Sequence, residues 1–115
     1  MVFFIAFLML IASCEKEPYS NLGFDSPIDI NSNGLVIAHI SQNDERIYLT
    51  GVVSVSEGEV LVNLIDPDGV VAYSKTIIAP VELQINETIG ANQGYWKLKY
   101  KSNKGIGTID LHLYK

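Results

Sequence analysis

A chain of 115 residues suffices for one domain with a core of modest size, and these residues leave no room for a second. Against 8 Lys and Arg it carries 13 Asp and Glu, a net charge of −5. The clustered positive charge that holds nucleic acid or an anionic membrane surface electrostatically is therefore not expected.

In chain order, the first element is the apolar run of residues 2–12, which accounts for much of the 48% hydrophobic content. Spanning a bilayer takes about 20 apolar residues, so the run is too short for a permanent transmembrane helix and has the length of a secretory signal core. It ends on Ile11-Ala12-Ser13-Cys14, and Glu15, Lys16 and Glu17 follow at once. Such charge does not flank a buried strand. Cys14 is the single cysteine, so no disulfide can form within the chain.

Ile11-Ala12-Ser13-Cys14 resembles a bacterial lipobox, in which a branched aliphatic and two small residues precede a cysteine that is acylated on sulfur and freed by signal peptidase II. The resemblance implies a signal peptide over residues 1–13 and a lipid on Cys14. Each acyl methylene contributes about 0.8 kcal/mol, so two or three chains hold a domain on a membrane without spanning it. No Lys or Arg precedes the apolar run, so either the start lies upstream or the free amino terminus supplies the positive charge. Glu15-Lys16-Glu17 resembles the Lys-and-acid signals that send lipoproteins of Bacteroidota to the outer surface, and it reads equally as a charged, solvated spacer.

Residues 18–34 are rich in Pro, Asn, Ser, Gly and Asp and read as a tether, with one short strand around residues 24–30. From Leu35 onward, β-branched and aromatic runs recur between turn formers, at 35–40, 47–55, 59–65, 70–78, 81–85, 94–101 and 106–114. No stretch keeps a 3.6-residue apolar period. The expectation is an all-β domain over residues 35–115, an antiparallel sandwich of about seven strands.

Two turns are assigned chemically. Asp66-Pro67-Asp68-Gly69 places an acceptor, a Pro and a Gly where a tight hairpin turn needs them. Ser102-Asn103-Lys104-Gly105 reads as a second hairpin turn, with Trp96 opposite Leu111, Leu98 opposite Ile109 and Tyr100 opposite Gly107 on a core face. Tyr95 with His112, Lys97 with Asp110 and Lys99 with Thr108 then form a solvent face. On this reading residues 106–114 form an edge strand. Gly94-Tyr95-Trp96-Lys97-Leu98, with the turn and alternating strand after it, resembles the closing hairpin of bacterial immunoglobulin-like and fibronectin-III-like modules, and the end of P-domains. That resemblance implies an immunoglobulin-like β-sandwich, although the cysteine pair of true immunoglobulin domains is missing and Trp96 lies on the penultimate strand.

Candidate chemistry is sparse. His39 and His112 fall on the first and last strong strands, but no spacing of His, Cys and carboxylates completes a zinc site, which takes three or four ligands. Asp66 and Asp68 are explained by turn chemistry and lack the further oxygens of a calcium loop. Glu57 and Glu59 read as solvated hairpin residues. No nucleophile, base and electrophile come together, so the protein is expected to be no enzyme and to need no cofactor or metal.

The candidate ligand surface is the outward side of the last hairpin, Tyr95, Tyr114, His112 and Lys97. Flat amphipathic rings beside polar groups suit a carbohydrate or protein partner, and ordinary cross-strand packing is the simpler explanation of them. The expected function is a non-catalytic binding or structural module of an envelope lipoprotein of the outer membrane. It would be held by lipid on Cys14 without nucleic acid, with a carbohydrate-binding or adhesive module and an inhibitor or immunity-type lipoprotein as alternatives.

Overall fold

The computed structural model describes residues 22–43 and 45–114, so Cys14 and the predicted signal segment lie outside the described residues. Among the described residues the structure is all-β and antiparallel. Its strands are β1 (Leu22–Ile28), β2 (Asn33–Ile40), β3 (Glu45–Ile65), β4 (Val71–Ile78), β5 (Val81–Ala91) and β6 (Gly94–Tyr114).

Two strands of 21 residues, β3 and β6, pair with each other along nearly their whole length and organise the rest. Each absorbs two of the expected strands. The part of β6 after its middle is flanked by β1, and the matching part of β3 by β5, which gives the order β1, β6, β3, β5. The part of β6 before its middle is flanked by β2, and its β3 partner by β4, which gives β2, β6, β3, β4. Phe24 of β1 packs its ring edge-on against Tyr100 from the other half, at 4.8 Å and 79°.

The expected hairpin at Ser102–Gly105 is therefore corrected. Trp96 lies opposite Ala38 rather than Leu111, and Leu111 lies between Phe24 and Gly51. Residues 106–114 are interior to the sheet, not an edge. The expected faces nevertheless hold: Trp96, Leu98, Tyr100, Ile109 and Leu111 are buried, and Tyr95, Lys97, Lys99, Thr108 and Asp110 are exposed.

Both readings give the same faces because both shift the alternation by one residue. Up to Ser102 the even-numbered residues of β6 point inward, and from Gly105 the odd-numbered ones do. In β3 the inward set passes from Ile47, Leu49, Val53 and Val55 to Val60, Val62 and Leu64, across register shifts at Val55–Glu57 and Glu57–Glu59. An extra residue in one strand bends it sharply while the same face stays on the core.

The corner is fixed by local chemistry. The Ser102 hydroxyl accepts from the Gly105 N–H at 2.8 Å and donates to the Gly105 carbonyl at 3.1 Å, which lets Lys104 take a positive φ of 58°. On β3, Gly58 has φ 70°, and a Cβ there would collide with the Lys104 carbonyl. Ser56 donates to the Ile106 carbonyl at 3.0 Å, and Asn103 to the Glu59 carboxylate at 2.9 Å, so Glu57 and Glu59 belong to a bend in β3 rather than to a hairpin.

The turn at Asp66-Pro67-Asp68-Gly69 joins β3 to β4 as expected. The Asp66 carboxylate accepts from the N–H groups of Asp68 at 2.9 Å and Val70 at 2.8 Å, and Gly69 has φ 87°. The strand expected around residues 24–30 is β1, so among the described residues the segment read as a tether already contains β structure at Leu22–Ile28.

One apolar cluster runs through both halves, from Ile28 and Ile40 through Leu49, Val62 and Leu64 to Leu98, Ile109 and Leu111. At about 1.5–3 kcal/mol for each fully buried large aliphatic, this cluster is the main source of stability. Trp96, 2% exposed, satisfies its indole by donating to the Asn92 carbonyl at 2.8 Å.

Candidate functional site

The bend in β6 separates the residues that the sequence places on one patch. Tyr95 and Lys97 lie on the outer side of the half that contains β2 and β4, and His112 and Tyr114 on the outer side of the half that contains β1 and β5. The two pairs therefore have different cross-strand neighbours.

On the first half, Tyr95 is 62% exposed and pairs across the strands with His39, whose ring lies 4.8 Å from its own. Alternation then puts Lys97, Lys99 and Lys101 in a row along β6. They are flanked by Ile37, Leu35 and Asn33 on β2 and by Ile65, Asn63 and Leu61 on β3. Lys97 and Tyr95 border a shallow open groove with Ile37, Ile65 and the Asp66–Gly69 turn. The aspartates of that turn bring negative charge to one end of the lysine row.

On the second half, the outer residues of β6 are Asp110, His112 and Tyr114. The His112 Nε2 is 2.7 Å from the Asp110 carboxylate, and its ring lies 6.3 Å from that of Tyr114. Asp25 stands directly opposite Asp110. His112 sits over Gly23, where any Cβ would strike the imidazole, so the glycine makes room for the ring. A proton on Nε2 serves the carboxylate and leaves Nδ1 as a buried acceptor without a hydrogen-bond partner among the described residues.

Sequence reasoning missed Tyr48, which is 42% exposed and lies opposite Tyr114 on β3. The alternation of Arg46-Ile47-Tyr48-Leu49-Thr50 marks Tyr48 as outward. Finding its neighbour required the pairing of β3 with β6.

These surfaces offer aromatic rings, amides and charge. His39 and His112 serve different neighbours, one a tyrosine ring and the other a carboxylate. Among the described residues no group of three or more His, Cys, Asp or Glu is placed to hold a metal ion. A small apolar cleft lined by Leu22, Ala38, His39, Ile40, Ile47, Leu113 and Tyr114 encloses about 10 Å³, room for about one water molecule. One tyrosine departs from ordinary behaviour: burial, reinforced by the Glu87 carboxylate, raises the pKa of Tyr73 on β4. No family model and no curated protein matches this chain.

Proposed function

We propose that this chain is a membrane-anchored envelope lipoprotein whose β domain is a non-catalytic binding or structural module. The observation that carries the reading is the apolar run of residues 2–12 ending on Ile11-Ala12-Ser13-Cys14 and broken at once by Glu15-Lys16-Glu17. A β domain whose described residues, from Leu22 onward, assemble an apolar core supports it. The test is the intact mass of the chain from bacterial membranes. A chain beginning at Cys14 and carrying two or three acyl groups is expected, with Cys14→Ser abolishing acylation. A mature chain with an unmodified Cys14 refutes the anchor.

We further propose that the two halves form a β-sandwich. If each long strand is counted as two, one half orders its segments first, eighth, third, sixth and the other second, seventh, fourth, fifth. That order supports two Greek keys wound as a jelly roll rather than immunoglobulin-like connectivity. Jelly rolls and immunoglobulin-like modules both serve many functions, so architecture selects none of them.

A carbohydrate-binding role is favoured by one observation, the adjacency of Tyr48 and Tyr114 with His112 beside them. Glycan-array binding would then be lost in Tyr48→Ala and Tyr114→Ala and kept in Tyr95→Ala, which lies on the other half. A co-purifying protein with no glycan signal supports the inhibitor or immunity reading instead.

A further inference from the structure

Among the described residues the sheet has four outer strands, and three of them carry charge or Pro. β1 contains Asp25 and Pro27, β4 contains Lys75, and β5 contains Glu82 and Glu87. Charged residues and Pro on an edge discourage a second strand from pairing there. β2 differs. Its sequence, NGLVIAHI, holds no Asp, Glu, Lys, Arg or Pro, and among the described residues it pairs only with β6.

The backbone of β2 has a definite open side. The Ser32 carbonyl accepts from the Ser102 N–H at 2.8 Å, on the register that continues through Gly34 opposite Tyr100 and Val36 opposite Leu98. Hydrogen-bonded and non-bonded positions alternate in an antiparallel pair. The even-numbered residues of β2 therefore bond to β6, and Asn33, Leu35, Ile37 and His39 turn both N–H and C=O away from it.

We propose that β2 is a self-association edge that pairs antiparallel with β2 of a second copy about a two-fold axis at Val36. In that register Leu35 faces Ile37 of the second copy and Asn33 faces His39, so all four open residues of each copy exchange both hydrogen bonds. Val36 meets its own counterpart at a non-bonded position. Shifting the register by one residue would set core-facing against solvent-facing side chains, and shifting it by two, which puts the axis at Leu35 or Ile37, loses one of the four bonded pairs.

Side chains agree with this register. Leu35 and Ile37 are 53% and 49% exposed in the single chain and would cover each other across the seam. The seam itself holds no Asp, Glu, Lys or Arg. The nearest charges on that face, Lys97 and Lys99 of the two copies, stand three strand spacings apart, about 14 Å, beyond the Debye length of about 8 Å at physiological salt. At any other outer strand, a like pairing brings Asp25, Lys75, or Glu82 and Glu87 of both copies to the junction. The contact is isologous and closes at two copies.

The test uses the full chain as Cys14→Ser in mild detergent, so that no lipid is present and the outcome is independent of the anchor. Adding Val36→Cys puts one thiol at the axis, and mild oxidation should yield a disulfide-linked dimer. Leu35→Cys and Ile37→Cys should each remain uncrosslinked, because each residue's own counterpart lies diagonally at about 7–8 Å, beyond disulfide reach. In sedimentation the Cys14→Ser chain should show a monomer–dimer equilibrium. Ile37→Pro should abolish the dimer with circular dichroism unchanged, since it removes an open-side N–H and no bond to β6. A chain that stays monomeric at about 1 mM overturns the proposal. So does a folded Ile37→Pro chain that still dimerises, or Leu35→Cys crosslinking as readily as Val36→Cys.

Discussion

Ser102→Ala is the sharpest probe of how this chain turns its corner. Ser102 is 5% exposed, and its hydroxyl both accepts from and donates to Gly105 at the point where the inward set of β6 changes from even to odd. Removing the hydroxyl leaves a buried N–H without that acceptor and a buried carbonyl without that donor, and each unmet buried group costs about 1–3 kcal/mol. Taking about 2 kcal/mol in total, with a urea dependence of about 1.5 kcal/mol per molar for a domain of this size, the unfolding midpoint should fall by about 1 M. Ser102→Thr, which keeps the hydroxyl, should recover most of the loss. At the tip of an exposed hairpin the same substitution would stay within about 0.5 kcal/mol of the parent. A Ser102→Ala chain with that small effect would refute the corner described for β6.

Other outcomes follow from the same structure. Leu98→Ala removes a side chain with no exposure from the centre of the cluster and should cost about 2–5 kcal/mol in urea unfolding, whereas Lys97→Ala beside it should change stability by less than about 0.5 kcal/mol. Asp66→Ala deprives two turn amides of their acceptor and should cost about 1 kcal/mol, with Asp66→Asn recovering part of it. Tyr73 binds its proton more tightly in the folded chain than in the unfolded one. Its contribution is therefore complete below the ordinary tyrosine value of about 10 and is lost as pH rises through the elevated folded value. Stability of the parent should fall more steeply above pH 10 than that of Tyr73→Phe, and equal slopes would refute the assignment.

Strand content and facing were legible in the sequence because they depend on near neighbours. The alternation Tyr95-Trp96-Lys97-Leu98-Lys99-Tyr100 assigns every side chain to a face without any knowledge of its partner strand. The same holds for Asp66-Pro67-Asp68-Gly69, whose acceptor and glycine act within five residues of chain. Connectivity is a different kind of information. Ser102-Asn103-Lys104-Gly105 contains the residues of a hairpin turn, and an even-numbered loop and a one-residue bulge shift the facing pattern equally. What selects the bulge is contact from elsewhere: the Ser32 and Ile30 carbonyls accept from the Ser102 and Lys104 N–H groups, and Ser56 and Glu59 approach from β3. No window of sequence around residue 103 contains those partners.

The same bend explains why the candidate site was only half legible. Outward facing was read correctly for Tyr95 and Lys97, yet a patch is a set of neighbours, and neighbours across strands follow from pairing. Once β6 turns its corner, Tyr95 acquires His39 and the aliphatic row Leu35 and Ile37, while Tyr114 acquires Tyr48 and His112. The bend also sorts charge. Lys97, Lys99 and Lys101 stay on one half, while Asp25 and Asp110 meet on the other, so a chain of net charge −5 presents a basic row and an acidic pair on different surfaces. A partner would respond to those local surfaces rather than to the total. Increasing salt should therefore weaken an acidic ligand held by the lysine row, and leave nearly unchanged a neutral one held by Tyr48 and Tyr114.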